Sequence, residues 1–202
     1  MGRERPRTLE FWRGLLPHWE VEGGVYFVSI HLAGAIPLDA ARSIGAISKE
    51  LQSSTAAGCF VLQTRKFQEM ERWLDRADPE GHLSKPDVAD AVTEAIHHRI
   101  FTGVWRVIEY VIMPTHLHLL FEMESGSLKE SLESLKQRTG RAAARILGFR
   151  NRRFWQKEWF DHWVRSPEEC EGIVDYIRQN PVKAGLVDDY QKWPYGSWRK
   201  DG

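Results

Sequence analysis

The sequence predicts an α+β domain built on one antiparallel β-sheet. Three observations lead to this prediction: a strand-like alternation near the start, two adjacent strand patterns in the middle, and two later helices that each begin with a capping box. The composition agrees, because 42% of the 202 residues are apolar and 28% are charged, as in ordinary globular proteins. These proportions exclude a disordered tail and a fibrous repeat.

The N-terminal third contains one strand pattern and two helix patterns. Residues 25–32 are predicted to form a strand, since their apolar side chains recur with a period of two. The preceding residues, 1–23, show no clear period and are expected to form an arm that leads to this strand. Pro37 then ends extended structure, and helices are predicted over 38–52 and 65–77.

The middle of the chain contains a further helix and two consecutive strands. Pro86 suits the first turn of a helix, along which apolar residues recur every four positions up to Ile100. Residues 104–113 are apolar on both faces, which is typical of a central strand that is covered on both sides. After a tight reversal, residues 116–123 alternate cleanly. The apolar face of this strand consists of Leu117, Leu119, Phe121 and Met123.

Two capping boxes mark the helices of the last third. The first opens a helix that is predicted over residues 127–147. The aromatic segment 154–165 is expected to contain a strand. The second capping box begins at Ser166, and its helix is predicted to end at Asn180, because the following proline disfavours the α conformation in the residue before it.

The order of these elements includes a β-α-β-β-α-β pattern, which indicates a ferredoxin-like arrangement. In that arrangement four antiparallel strands form a sheet and the helices lie on one face. The extra helices after the first strand are interpreted as an insertion, and a C-terminal helix follows the last strand. Because no repeat or low-complexity linker interrupts the chain, residues 1–202 are predicted to be one domain, with the arm at 1–23 and the folded part at 24–198.

The charge balance and the cysteine content exclude several classes of protein. The 28 basic and 28 acidic residues cancel, which argues against a histone-like protein but not against a local basic patch. Cys59 and Cys170 cannot form a disulfide framework, so a reducing compartment is expected. No apolar run approaches the ~20 residues needed to cross a bilayer, and the charged N-terminus lacks a signal peptide. The protein is therefore expected to be cytoplasmic.

His116 and His118 are candidate metal ligands on the second of the two adjacent strands. Being two positions apart, they point to the same side of the sheet. Because the alternate positions face the core, both histidines are expected on the face that the helices leave open. Two imidazoles held side by side on a strand are good metal ligands. The alternative is a pair of surface histidines, because spacing alone supplies no third ligand.

The last helix adds an aromatic and an amide side chain. Its buried stripe is predicted to contain Cys170, Ile173, Val174 and Ile177. Tyr176 and Asn180 lie one turn apart on the flank of that stripe. Together they can offer a nucleophile and an oxygen ligand to one metal ion. Alternatively, Tyr176 is an aromatic residue at the boundary of the core and Asn180 terminates the helix.

Positive charge is concentrated between residues 136 and 157, where no acidic residue occurs. The eight basic candidates for DNA binding are Lys136, Arg138, Arg141, Arg145, Arg150, Arg152, Arg153 and Lys157. The aromatic candidate is Trp155. Basic groups for phosphates next to aromatic rings for bases are typical of a single-stranded nucleic-acid surface. The alternative is a solvated helix face next to a core aromatic cluster.

Three segments resemble motifs of one protein family. Residues 113–120, MPTHLHLL, resemble the MPNHVHLL segment of the single-tyrosine HUH transposases. Residues 154–162, FWQKEWFDH, are similar to that family's FWQ…YDH stretch, and residues 175–187, DYIRQNPVKAGLV, to its YIxxNPVKAGLV helix end. The branch that fits is the REP-associated tyrosine transposases, and the resemblance extends over about residues 24–198.

The resemblance implies a metal-dependent endonuclease and strand transferase. Such an enzyme acts on single-stranded DNA next to hairpins of repetitive extragenic palindromes. It works as a monomer or a homodimer, and no membrane partner is expected. By position, Tyr176 is the nucleophile that forms a 5′-phosphotyrosine link, and His116, His118 and Asn180 bind the divalent metal. The implied ion is Mg²⁺ or Mn²⁺, with the nitrogen ligands favouring Mn²⁺.

Two positions depart from the family pattern. Thr115 replaces the usual asparagine before the first histidine, and Phe160 replaces the tyrosine of YDH; both are expected near the site. His162 is expected to pack beside Arg165.

The alternative function is a domesticated protein that binds DNA hairpins without cleaving them. A third candidate, a small metal-dependent hydrolase, would leave the basic stretch unexplained. The two histidines, the tyrosine and the asparagine together favour the enzyme, since a pure binder has no need of them.

Overall fold

The computed structural model describes residues 7–13, 17–53, 56–74 and 81–199. The strands are β1 Thr8–Arg13, β2 Pro17–Val21, β3 Val25–His31, β4 Trp105–Ile112, β5 His116–Met123 and β6 Phe160–Trp163. The helices are α1 Leu38–Ser53, α2 Ala56–Leu74, α3 Pro86–Phe101, α4 Leu128–Leu147 and α5 Pro167–Lys183. Within the described residues, no helix is long and apolar enough to span a membrane.

Strands β3 to β6 form the predicted antiparallel sheet, in the order β4-β5-β3-β6. The two strands of the central hairpin lie side by side, and the first strand separates them from the last, which is the ferredoxin-like order. The α+β ferredoxin-like prediction is therefore confirmed. In the register of β3 and β5, His31 lies opposite His116 and Ser29 opposite His118.

Helices cover both faces of this sheet. On one face, α3 and α4 pack against a core that includes Tyr26, Leu119 and Phe121. On the other face, α1, α2 and α5 contribute to a second core with Phe27 and Leu120. The histidines lie on this second face. The sequence predicted that this face would be open, but helices cover it. The reason is that the inserted helices and α5 each bury apolar side chains there.

Strand β4 lies at the edge of the sheet, whereas its pattern predicted a central position. Both of its faces are covered, which explains the apolar sequence. Its outer edge is partly paired by the C-terminal segment, because the Ile112 amide donates to the Tyr195 carbonyl at 2.8 Å and Val111 bridges to Gly196. The segment acts as a short substitute for a fifth strand.

Two boundaries differ from the sequence prediction. The segment expected to be an arm contains the hairpin of β1 and β2, which is attached to the sheet where His18 contacts the buried Asp161. Helix α5 continues past Asn180 and contains Pro181 in its last turn. Proline removes one backbone hydrogen bond, and because the helix ends two residues later, the disturbance is confined to its last turn. The sequence Asp78-Pro79-Glu80-Gly81 predicts a turn, but this segment lies largely outside the described residues.

Candidate active site

Strand β5 places His116 and His118 side by side on the second sheet face. Both are buried, with 1% and 0% of their surface exposed, and their ring centroids lie 4.7 Å apart. Thr115 Oγ1 lies 3.2 Å from His116 Nδ1, whereas Nε2 has no hydrogen-bond partner among the residues that the structure describes. The hydroxyl therefore orients the imidazole, as outer hydrogen bonds commonly do for ligating histidines.

Helix α5 brings Tyr176 and Asn180 to the same histidines. The Tyr176 ring lies 5.5 Å from the His118 ring. Asn180 is buried, and its side-chain amide donates to the Tyr176 carbonyl at 2.9 Å. This bond occupies the amide nitrogen and leaves Oδ1 without a hydrogen-bond partner among the described residues.

An ion pair and a histidine–carboxylate contact hold α5 in this position. Arg178 Nε donates to the buried carboxylate of Glu109 on β4 at 2.7 Å. At the other end of the helix, Glu169 Oε1 lies 2.7 Å from His162 Nε2, and Glu169 Oε2 accepts from the Arg165 amide. His162 thus connects β6 to the first turn of α5, a structural role in keeping with the packing that was expected for it.

Helix α2 adds a carboxylate, Glu71, that sequence reasoning missed. Glu71 accepts a hydrogen bond from the Tyr176 hydroxyl, and its Oε2 lies 3.3 Å from His118 Nε2. Burial alone would raise the pKa of Glu71. The neighbouring His118 outweighs that effect, with help from His116 and the tyrosine hydroxyl, and holds the pKa at about 2. Glu71 is therefore an anion at neutral pH.

The aromatic surroundings fix the tyrosine ring. Phe27 and Phe67 contact the Tyr176 ring edge-to-face at 5.9 and 5.8 Å between centroids. Phe160, the departure from the family's YDH, is buried and packs on Phe67 at 4.7 Å. Lys183 Nζ lies 5.2 Å from the tyrosine ring centroid. Phe160 thus supports the ring that holds the nucleophile candidate.

The residues present fit a divalent metal ion. Four buried side chains carry nitrogen or oxygen atoms without a hydrogen-bond partner among the described residues: Glu71, His116, His118 and Asn180. One ligand atom from each of Glu71, His116 and His118 lies within 4.8 Å of the others. Burial lowers the pKa of His116 to about 3, with a further contribution from His118, so this imidazole is neutral as a metal ligand requires. Unpartnered buried polar atoms are costly, and a cation held between them would satisfy them.

The basic stretch forms two joined concave surfaces on and after α4. A groove of about 700 Å³ between the end of α3 and α4 is lined by Arg138, Arg141 and Arg145. A shallower surface of about 430 Å³ is lined by Arg141, Arg152, Arg153 and Lys157. Arg141 belongs to both surfaces, so they form one track, which we call the basic track. Arg150 is exposed close to it but lines neither surface.

Two of the predicted DNA-binding residues turn toward the protein. Trp155 is 4% exposed, and its indole Nε1 donates to Thr139 Oγ1 at 2.8 Å. The prediction that this ring stacks on bases is corrected, because it belongs to the core. The half-buried Lys136 donates from Nζ to the Lys157 carbonyl at 2.5 Å and lies over the Trp159 ring, so it contributes to packing there.

A family model described as "Transposase IS200 like" matches residues 80–180, which is half of the chain. This chain belongs to the IS200-like transposase family. The matched region of this family member contains both histidines, the basic track, Tyr176 and Asn180, but not Glu71.

Two curated relatives of this IS200-like family member match part of the chain. The REP-associated tyrosine transposase of Escherichia coli strain K12 is 27% identical over 92 residues, which cover 46% of this chain and 53% of the relative. A protein of Haemophilus influenzae named as a REP-associated tyrosine transposase is 26% identical over 107 residues, which cover 48% and 61%. The chain thus spans little more than half the length of these relatives.

A solved structure extends the likeness to the whole fold. It is a REP-associated tyrosine transposase bound to a REP hairpin, and it matches over 98% of this chain and 83% of its own, with a TM-score of 0.56. At 16% identity this likeness shows the shared fold.

The structure thus brings together the four site residues named from the sequence and adds Glu71. A signal for Glu71 was present, because it lies four residues after Phe67 and three before Leu74, on the apolar side of α2. A carboxylate at such a position is unusual, since buried acidic groups need a partner.

Proposed function

We propose that this protein nicks and rejoins single-stranded DNA next to hairpins, through a covalent bond between DNA and Tyr176. The observation that carries the proposal is the convergence of one hydroxyl, two imidazoles, an amide oxygen and a carboxylate in one cluster, in which both rings keep a nitrogen without a hydrogen-bond partner among the described residues. Membership of a transposase family and the DNA hairpin bound by the structural relative support the choice of substrate.

In the proposed reaction the Tyr176 oxygen attacks the scissile phosphorus. A bond forms between phosphorus and the tyrosine oxygen, and the bond to the 3′ oxygen of the preceding nucleotide breaks. The phenolic proton ends, overall, on that 3′ oxygen, which leaves a free 3′-hydroxyl and a 5′-phosphotyrosine. Because the phosphodiester energy is kept in the new link, another 3′-hydroxyl can reverse the step and join strands without ATP.

Glu71 positions the nucleophile in this scheme. Its carboxylate accepts the hydrogen bond of the Tyr176 hydroxyl, while the ring is clamped by Phe27 and Phe67. Only small motion is then needed to place the oxygen on a phosphate next to the histidines, which is the advantage of a pre-oriented group.

The metal-binding residues we propose are His116, His118 and Asn180, with Glu71 as a fourth donor. A bound Mg²⁺ or Mn²⁺ would polarise the scissile phosphate and stabilise the charge that develops on it. The mixed nitrogen and oxygen donors favour Mn²⁺ over Mg²⁺.

The basic track is the proposed path of the DNA. Its arginines are exposed on α4 and the following loop, and they supply the positive charge that the neutral chain as a whole lacks. Contacts with phosphates from such a surface give affinity without base specificity.

A labelled oligonucleotide that contains a hairpin from the palindromes flanking the gene tests the proposal. We expect a covalent protein–DNA adduct on denaturing gels with Mn²⁺ or Mg²⁺ and none with EDTA. Tyr176→Phe should abolish the adduct and leave hairpin affinity within about twofold, because the ring contacts remain. The matched control is Tyr190→Phe, outside the cluster. Hairpin binding without an adduct in either metal would instead identify a non-cleaving binder.

A further inference from the structure

A cavity of about 170 Å³ lies beside the proposed active site and has no role in the scheme above. It is enclosed by α1, α2, the end of β3 and residues 156–159. Two of its lining residues are neighbours of site residues. His31 is the strand partner of His116, and Met70 directly precedes Glu71. Whatever enters this cavity therefore lies next to the histidine and tyrosine cluster.

The cavity has an apolar side and a polar side. Buried Ile44, Met70 and Trp159 provide apolar surface. Lys66 and His31 are 5% and 7% exposed, and His31 Nδ1 has no hydrogen-bond partner in the part of the chain that the structure describes. A buried, unpartnered nitrogen in a cavity wall is available to a ligand, because leaving it unsatisfied is costly.

The charges around the cavity favour an anionic ligand with a neutral hydrogen-bonding part. Burial lowers the pKa of Lys66 to about 8, against the opposing effect of Glu158, so the amine is still mostly protonated at neutral pH. Lys157 and the carboxylate of Glu158 also line the cavity. Two cations, one carboxylate and the unpartnered nitrogen of His31 thus line the same space, and the net positive charge suits a phosphate beside a neutral base.

The cavity also continues the basic track. Gln156 and Lys157 line both the cavity and the shallower of the two basic surfaces. A strand that follows the exposed arginines of α4 and the 150–157 loop can therefore continue into the cavity, whose lining residue His31 is the strand partner of His116.

We propose that this cavity binds the nucleobase adjoining the scissile phosphate, turned out of the strand, with Lys66 contacting the backbone phosphate. This inference rests on the proposed function and adds a specificity site to it. A base has flat apolar faces and a hydrogen-bonding edge, which match Ile44 and Met70 on one side and His31 on the other. Enzymes that read an unstacked base use pockets of this composition.

Gly45 offers a variant that fills the cavity without disturbing the backbone. It lines the cavity from α1, and a Cβ added there meets no atom within 4 Å. Gly45→Leu therefore places a side chain in the space that the base would occupy. Gly172→Leu is the matched control, because Gly172 is also an open helix position, on the exposed side of α5.

The experiment compares intact hairpin oligonucleotides with a series in which single nucleotides near the cleavage position are abasic. For the wild-type protein and Gly172→Leu, we expect one abasic position to weaken binding about tenfold, the effect of removing one bound base. Gly45→Leu should bind the intact strand about tenfold more weakly and be insensitive to the abasic change at that position. Identical profiles for Gly45→Leu and Gly172→Leu would overturn the assignment.

Lys66→Met supplies a second measurement that does not depend on cavity filling. It keeps an apolar stem of similar length and removes one charge. Affinity should fall, and the slope of log K against log salt should decrease by about 0.7, the value for one phosphate contact on a single strand. An unchanged slope would argue against the phosphate contact and hence against the proposal.

The outcomes separate this inference from the proposed function. A wild-type adduct with the intact strand supports the proposed function whatever Gly45→Leu does. The absence of any adduct rejects the proposed cleavage. If the abasic series also shows no sensitive position in the wild-type protein, the base pocket is rejected as well.

Discussion

The Tyr176 hydroxyl donates a hydrogen bond to the carboxylate of Glu71. This bond joins α5 to the inserted helix α2 beside the histidine strand, and the same carboxylate lies 3.3 Å from His118 Nε2. The second carboxylate oxygen, Oε1, has no hydrogen-bond partner among the described residues. One residue of the insertion can therefore orient the nucleophile and still offer an oxygen to a metal ion.

Glu71→Gln should weaken Mn²⁺ binding about tenfold or more. The substitution keeps the size of the side chain but removes the only negative charge of the donor set, which matters most for a hard cation in a buried site. Isothermal titration with Mn²⁺ in the absence of DNA measures this directly. Glu69→Gln, on the same helix, is the control and should bind normally, because Glu69 pairs with Trp73. Equal Mn²⁺ affinities for the two variants would remove Glu71 from the ligand set.

The protein without metal should lose stability as the pH falls from 7 to 5. Burial holds the pKa of His116 at about 3 and that of His31 at about 4 in the folded state, whereas both imidazoles take up protons below about 6.5 when the chain unfolds. The unfolded state then binds more protons, so the free energy of unfolding falls by about 2 kcal/mol per group at pH 5.

Urea unfolding in EDTA at pH 7, 6 and 5 tests this dependence. His31→Gln removes one titrating group, so its free energy of unfolding should fall less between pH 7 and 5 than that of the wild type. Glu71 adds a further loss only below about pH 4.5, because its folded pKa is near 2. A stability that stays constant between pH 7 and 5 would contradict the buried, neutral state of the two imidazoles.

Charge reversal at Arg141 and Arg145 should weaken hairpin binding and flatten its salt dependence. Both arginines line the groove between α3 and α4, and Arg141 also joins it to the second surface. The salt slope falls by about 0.9 for every duplex phosphate that the protein no longer neutralises. Lys129→Glu is the control, since Lys129 lies on the same helix but lines neither surface. If the arginine variants bind the hairpin as tightly as Lys129→Glu at several salt concentrations, the basic track is excluded as the DNA-binding surface.

Trp155→Phe should reduce stability rather than DNA affinity. The change removes the indole bond to Thr139 and leaves a small void in the core, so we expect a loss of about 1–3 kcal/mol in the free energy of unfolding. Chemical denaturation gives the stability and filter binding the hairpin affinity. A large loss of affinity in a fully folded variant would restore Trp155 as a base-stacking residue.

The local parts of the fold were predictable from the sequence because local signals fix them. The bounds of β5 were predicted as observed, and Ser127 caps α4 by accepting a hydrogen bond from the Glu130 amide. The edge position of β4 was not predictable, since it depends on β6 pairing with β3 rather than with β4. Both faces of β4 are covered by other elements. An apolar pattern on both faces predicts this burial, but it does not predict the position of the strand in the sheet.

The candidate site was predicted in part for the same reason. The i, i+2 and i, i+4 spacings bring His116 near His118 and Tyr176 near Asn180, and the structure places the two pairs together. The spacing within α2 places Glu71 on the apolar side of that helix, but its contact with the histidines depends on how the insertion packs, which no spacing within one element reveals. The burial of Trp155 was also not predictable, because composition alone does not distinguish an exposed aromatic ring from a buried one.

The C-terminal segment that pairs with β4 has a consequence for self-association. Without the contacts at Tyr195 and Gly196, the outer edge of β4 would present unpaired amides and carbonyls next to an apolar surface, which is a template for edge-to-edge aggregation. Because this segment follows directly on α5, the part of the chain that carries the nucleophile is also the part whose docking keeps the molecules apart. A variant truncated after residue 192 should therefore become prone to aggregation before it loses its sheet.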